Sequence, residues 1–319
     1  MRAAVCLLAC LSVGAAVADE LPEWAYPVPP PRPAAAAAPP DAVQLRHLPG
    51  SRQQYTQAQL VDLFSAPDWY PDAHDAMPPV VANGRTPDVY ACGYCHLPGG
   101  QGRPENAALA GLPAQYILYQ LADYASGARR SAWPGPYVPS DLMIRNAQHV
   151  SDDEAAVAAD YFSHQRLPPR LAVRERTRVP RSHVAGWLHV ADAHSGEEPL
   201  GERLLEFAPD FARHEQRDSR MRYVAYVPPG SIARGRRLAR EGADGAATAC
   251  ETCHGPALRG IGLTPPLAGR SPGYLLRQLL AFKAGTRHGD TGLPMQPVAA
   301  QLAVTQMIDA VAYAASLTP

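Results

Sequence analysis

Cys92-Gly93-Tyr94-Cys95-His96 and Cys250-Glu251-Thr252-Cys253-His254 each place two thiols and an imidazole within five residues, twice in one chain. C-x-x-C-H is the attachment signature of c-type haem: each thiol adds to a vinyl group and the adjacent histidine takes one axial position on the iron. Two copies predict two covalently bound haem c groups, held through Cys92, Cys95, Cys250 and Cys253, with His96 and His254 as axial ligands. A zinc ribbon also uses paired C-x-x-C units. It needs no histidine directly after each pair, and 154 residues between the pairs is far too long a span for it.

The other axial position decides the chemistry, because two strong ligands make an electron carrier and an open position makes a site for small molecules. One methionine stands ahead of the expected last helix of each half: Met143, 47 residues after His96, and Met295, 41 after His254. A thioether raises the reduction potential relative to a second histidine. Filling core space is the competing role for each methionine, and His149 and His288 are the competing imidazoles. The axial histidines need an acceptor for their other ring nitrogen. Pro266, twelve residues after His254, is expected to offer its carbonyl, and Ala108 stands at the equivalent place in the first half. Arg129 and Arg287 are candidate partners for haem propionates, since arginine pairs carboxylates through two parallel bonds. Tyr116 and Tyr274 are expected mainly to pack.

Residues 1–18 read as a secretory signal, with Arg2, an apolar run from Ala3 to Val13, and an A-x-A cleavage site at Ala16-Val17-Ala18. The apolar run is shorter than the roughly 20 residues a spanning helix needs. Cleavage removes Cys6 and Cys10, and the four remaining cysteines all lie in the haem motifs. None is left for a disulfide, a thiolate ligand or a nucleophile. Export fits the chemistry of haem attachment, so the expected location is periplasmic, with no transmembrane segment after signal cleavage.

The elements that must position these groups repeat. Shifting the chain by 158 residues aligns the motifs, Leu109-Ala110-Gly111 with Leu267-Ala268-Gly269, Tyr116 with Tyr274, Gln120 with Gln278, Gly127 with Gly285 and Arg129 with Arg287. Beyond Arg129 the register becomes 152, aligning Met143 with Met295 and Tyr161 with Tyr313, which implies a six-residue insertion near Ser131–Pro136. One register over so many positions argues for two homologous domains, as does a length of 319 residues. Helices are expected from about Ser231 to Gly242, Pro272 to Phe282 and Thr305 to Leu317, and at Tyr116–Tyr124 and Asp152–Phe162. Ser151 and Glu154 make a capping box for the last of these. A one-turn helix at Pro78–Asn83 and a helix at Gln53–Phe64 complete the first half, and the methionines are expected in loops. A net charge of −1, or −2 after the leader is removed, excludes nucleic acid as a partner on charge grounds.

These residues resemble the tandem class I cytochromes c, di-haem electron-transfer proteins of the bacterial periplasm. The resemblance runs through C-x-x-C-H-G at 250–255, Pro-Leu-Ala-Gly-Arg-Ser-Pro at 266–272, Tyr274, Gln278, Gly285, Arg287, Met295 and the closing 312–317. In the first half it runs through Cys92–His96, Leu109–Gly111, Tyr116, Gln120, Gly127, Met143 and Tyr161. The first half departs by its insertion, by Ala108 in place of proline and by Leu97 in place of Gly255. The resemblance implies helical haem domains, a His/Met iron in each, and electron transfer without bond-making chemistry.

The expected fold class is all-α, two tandem cytochrome c-like haem domains joined by a long irregular connector. The expected boundaries are 1–18 signal peptide, 19–50 Pro/Ala-rich arm, 51–165 first domain, 166–228 connector and 229–319 second domain. The connector holds a basic run from Arg166 to Arg181, expected to be solvated, and an apolar stretch, Arg222–Val227, expected as a strap. Its histidines have no metal-like spacing. Trp69 and Trp133 are candidate covers for the first haem, with packing the competing role. The expected function is periplasmic electron transfer between redox proteins such as a dehydrogenase, an oxidase or another cytochrome, as free carrier or as the cytochrome subunit or acceptor of a dehydrogenase. It is not an enzyme. The rival is a di-haem peroxidase, which needs one open iron; a thiosulfate-oxidising di-haem enzyme, which resembles these folds but uses a cysteine ligand, has no cysteine left to use.

Overall fold

The computed structural model describes residues 21–31, 44–192, 194–243 and 248–319. The expected signal and the alanine run of the arm lie outside them. In the first half, a one-turn helix at Pro79–Ala82 is followed by α1 (Cys92–His96), α2 (Ala114–Ser126), α3 (Val138–His149) and α4 (Asp152–His164). Ser151 and Glu154 close the expected capping box at the start of α4, and Gly127 ends α2 in a left-handed conformation, which glycine adopts without steric cost. Val81, Val89, Ile117, Ala159 and Phe162 form the core between these helices.

Two expectations for this half change. Only Gln57–Leu60 of the 53–64 segment is helical, because the Asp62 carboxylate accepts the Phe64 N–H at 2.9 Å and turns the chain away. Met143 sits within α3 rather than in a loop. Pro139 in its first turn and the Asp141 carboxylate, which accepts the Tyr137 N–H at 3.0 Å, start a helix there.

Residues 166–228 are not irregular. Seven strands follow: β1 (Leu171–Glu175), β2 (Arg178–Pro180), β3 (Ser182–Ala185), β4 (Leu188–Ala191), β5 (Glu197–Pro199), β6 (Leu205–Phe207) and β7 (Tyr223–Val227). Five of them form one sheet in the order β1-β7-β6-β4-β3, and β2 and β5 form a separate ribbon. The expected apolar strap is strand β7, paired on both sides between β1 and β6, its side chains alternating between buried and half-buried. A two-residue turn, Gly186-Trp187, joins β3 to β4 with both φ angles positive, +55° and +64°, as a primed hairpin turn requires. The basic run is not all solvated: Arg170 donates to the Met221 carbonyl at 2.9 Å and to the Gly102 carbonyl at 3.0 Å, clamping the sheet to the first half.

The second half comprises α5 (Ser231–Glu241), α6 (Cys250–His254), α7 (Pro272–Lys283), α8 (Met295–Ala300) and α9 (Val304–Ser316). Gly230, not Ser231, caps α5. Helices α5 and α9 touch backbone to backbone at Gly235, where a β-carbon would fall 1.9 Å from the Asp309 carbonyl oxygen. Arg234 closes the crossing with an ion pair to Asp309 at 2.7 Å. Ser271 caps α7, and the buried Glu206 carboxylate of β6 accepts from its hydroxyl at 2.6 Å and from the Gly273 N–H at 3.1 Å. The N-terminal segment straps sheet and second half together: the Trp24 carbonyl accepts from His189 at 2.9 Å and the Ala25 carbonyl from Arg277 at 3.2 Å.

Candidate functional site

Both C-x-x-C-H segments are single helical turns opening on one cavity of about 800 Å³. Two equivalent sets of groups line it: Cys92, Cys95, His96 and Met143 from the first half, and Cys250, Cys253, His254 and Met295 from the second. Met295 opens helix α8, immediately after the rigid Gly292-Leu293-Pro294 approach. His149 and His288 are exposed, are absent from this wall, and sit on carbonyls of their own segments, Arg145 and Gly285. Met77, Met221 and Met307 pack in cores instead.

The two histidines are held alike. His96 Nδ1 lies 2.8 Å from the Ala107 carbonyl and His254 Nδ1 lies 2.9 Å from the Pro265 carbonyl. A carbonyl only accepts, so each Nδ1 carries the proton and each Nε2 keeps a free lone pair. Burial holds both imidazoles below the ordinary histidine value, so they are neutral. Ala107 and Pro265 are 158 residues apart, and the acceptor is therefore one residue earlier than the expected Pro266 and Ala108. Those two carbonyls are taken by Arg270, at 2.7 and 2.6 Å. The loops behind the histidines also share one hydrogen-bond pattern. Gly102 N–H donates to the His96 carbonyl at 2.8 Å, and Gly260 N–H to the His254 carbonyl at 2.7 Å. Leu97 and Gly255, the residues after each histidine, both take positive φ, +66° and +75°. The missing glycine of the first half has changed the residue and kept the backbone.

Burial pushes the Cys92 thiol up to about 12 and the Cys250 thiol to about 11. As free groups they are poor nucleophiles and poor thiolate ligands; as thioethers they do not titrate.

Arg129 and Arg287 meet each other. Arg129 donates to the Gln120 side-chain oxygen at 2.7 Å, to Tyr274 Oη at 2.7 Å and to the Gln278 oxygen at 2.8 Å. Arg287 returns the pattern to Gln278 at 3.1 Å, Tyr116 Oη at 3.0 Å and Gln120 at 2.8 Å. Their backbones form an antiparallel bridge. The residues that revealed the repeat thus form a two-fold, self-complementary joint between its halves. Tyr116 and Tyr274 bond across it rather than simply packing. Burial opposes ionisation of Tyr116, but the Arg287 and Arg129 guanidiniums outweigh it and lower its hydroxyl.

Whether the cavity suits a haem is tested by what it leaves unpartnered. Both arginines of the joint are buried in its wall with no carboxylate among their hydrogen-bond partners, and Arg129 Nε has no partner at all. The hydroxyls of Tyr26 and Tyr137, also in the wall, are likewise unpaired. Buried cations without an anion are costly. Propionate carboxylates would supply the missing charge, and the apolar remainder of the wall suits a macrocycle. The site fits the group.

Several wall residues carry no signal in the sequence: Tyr26 from the N-terminal segment, Trp187 from the β3–β4 turn, and Arg103, Glu105, Tyr137 and Arg217. Trp69 is not among them. It is buried 147 positions from its partner in sequence and donates its indole N–H to the Gln216 carbonyl, anchoring the connector. Trp133 packs against Tyr26 behind the wall, ring centroids 5.6 Å apart. Among the described residues, no helix is long and apolar enough to cross a membrane.

The cytochrome c family profile matches residues 235–318. A thiosulfate dehydrogenase electron acceptor from Thiomonas intermedia is 29% identical over 225 residues, covering 69% of this chain and 75% of that protein. Its counterpart from Stutzerimonas stutzeri is 30% identical over 212 residues, covering 65% and 69%. Cytochrome c4 of Pseudomonas aeruginosa is 26% identical over 218 residues, covering 66% and 76%.

Proposed function

We propose, from the premise that the chain belongs to the di-haem class I cytochromes c, that it accepts electrons in the periplasm from a thiosulfate-oxidising dehydrogenase and passes them to a further redox protein. The protein carries two covalent haem c groups and transfers electrons; it is a cytochrome and not a peroxidase. Each haem supplies a one-electron ferric/ferrous couple when bound. Cys92 and Cys95 hold the first by thioethers and Cys250 and Cys253 the second. His96 and His254 offer neutral Nε2 lone pairs, oriented by the Ala107 and Pro265 carbonyls. Met143 and Met295, which line the same cavity, would be the second protein ligands of the two irons and would keep them closed to substrates and their potentials high. Arg129 and Arg287 neutralise propionates at the joint.

The observation that carries this reading is the one cavity lined by both motifs and bridged by the buried Arg129–Arg287 joint. The dehydrogenase as donor is supported by the two relatives that bear that name. The cytochrome c4 relative supports a second reading, a free carrier with several donors. Stopped-flow mixing of the oxidised di-haem protein with a thiosulfate dehydrogenase and thiosulfate separates them. Reduction of both haems at a rate saturating in dehydrogenase supports the specific acceptor. Reduction by other periplasmic cytochromes, with none by the dehydrogenase, leaves the free carrier.

A further inference from the structure

We infer that Arg217, delivered by the connector sheet rather than by either haem domain, raises the reduction potential of the first haem and makes the two haems unequal. The inference rests on the attachment of one haem at Cys92–His96. Arg217 follows the helical turn Phe211–Glu215 and has φ +57°. Its guanidinium carbon lies 3.6 Å from the ring centroid of Tyr94, the residue just before the second attachment cysteine. Tyr94 is buried, Arg217 lines the haem cavity, and its buried Nε has no hydrogen-bond partner. Here the connector completes the wall of the first haem site.

The surrounding charge is lopsided. Arg103, also in the wall, pairs with the buried Glu105 at 3.0 Å and donates to His214 Nε2 at 2.7 Å. Accepting that bond leaves His214 with its proton on Nδ1, 3.1 Å from Tyr223 Oη, so it is neutral. Arg170 reaches in from β1's leading edge to the Gly102 carbonyl. Arg217, Arg103 and Arg170 thus gather around the buried Glu105; of the other buried carboxylates near them, Asp218 is paired with Arg213 and Glu206 accepts from Ser271, while Glu215, 3.9 Å from Arg103, has a side chain 54% exposed. The second motif lacks a counterpart of the Arg217–Tyr94 contact among the described residues. Thr252, which aligns with Tyr94, is exposed, and Glu251 places a carboxylate 3.8 Å from Arg240.

Gaining an electron makes a haem more negative, so a fixed buried cation beside it favours the reduced form. At an effective dielectric of about 20, one such charge shifts a neighbouring one-electron equilibrium by roughly tenfold, about 59 mV. Arg217 moves no proton and forms no bond in the transfer.

The test is a spectroelectrochemical titration of the di-haem protein and its R217Q, R217K and E105Q variants. The first haem is identified in haem-methyl NMR by its Overhauser contact with Phe162. The expected result is a first-haem potential lowered about tenfold in equilibrium terms by R217Q, largely kept by R217K and raised by E105Q, with the second haem unmoved. An unmoved first haem in R217Q, an equal fall in R217K and R217Q, or a joint shift of both haems overturns the inference. Should R217Q fail to fold, an unchanged or lowered first-haem potential in E105Q overturns it alone. A haem count below two in the unaltered protein would instead defeat the attachment reading beneath it.

Discussion

Replacing Met143 or Met295 by histidine exchanges a thioether for a stronger donor to ferric iron. Each variant should lower the potential of its own haem by a sizeable part of the roughly 0.8 V range that axial ligands span, and remove half of the weak red-region thioether absorbance. A potential left in place removes that methionine as a ligand. Leu97 poses a different question at the same scale. At φ 66° and ψ 155° it occupies a region that is essentially glycine's own, yet its side chain is 1% exposed. Leu97→Gly loses roughly 3–4 kcal/mol of packing and recovers roughly 1–3 kcal/mol of backbone strain. Its net cost by denaturant unfolding should be only about 1–2 kcal/mol. Leu276→Gly, equally buried in regular helix α7, should cost roughly 4–5 kcal/mol.

Among the elements, β6 and α7 meet through one carboxylate. Burial pushes Glu206 up to about 7, over the opposing pull of the Ser271 and Gly273 hydrogen bonds. The folded protein therefore binds this proton more tightly than the unfolded chain. The resulting stability is fully present below about pH 4.5 and is lost as pH rises through about 7. The shift corresponds to roughly 3 kcal/mol. Unfolding across pH 4.5–8 should show the wild type falling relative to E206Q by that order; parallel curves would mean that Glu206 titrates normally. The same elements show how far the sequence can be read. Helix α4 was legible because Ser151, Glu154 and the apolar spacing agree. The two C-x-x-C-H turns were legible because covalent attachment demands a fixed local pattern. The sheet was not: its strands are three to five residues long, and pairing over distant sequence leaves little local trace. One trace was available, since Arg174, Arg176 and Arg178 alternate with period two and are all exposed. Met143 was singled out and does line the cavity, but its helix was not foreseen, because Gly135-Pro136 and Pro139 read as a loop when the capping Asp141 is not considered. The contributions of Tyr26, Trp187 and Arg217 to the wall depend on tertiary docking alone.

At the scale of the molecule, the two haem-bearing halves carry opposite charge. Residues 51–165 hold six basic and twelve acidic side chains, and residues 229–319 hold nine basic and five acidic. Such a field steers charged reactants at low salt and is screened beyond roughly 10 Å at 0.1 M. An anionic reductant such as dithionite should therefore reduce the second haem faster than the first at low ionic strength, and a cationic one such as hexaammineruthenium(II) the reverse. Both preferences should collapse in 1 M salt; a preference that ignores salt would assign the selectivity to haem exposure instead. The Arg129–Arg287 joint has a consequence of another kind. In a homodimer, one altered codon changes both faces of a two-fold contact at once, so most changes are doubly damaging. Once both copies lie in a single gene, Gln120 and Gln278 mutate independently, and each can be corrected by its counterpart. The contact is reciprocal here although the halves it unites differ by an insertion, by Leu97 where the second has Gly255 and by the sheet that follows the first.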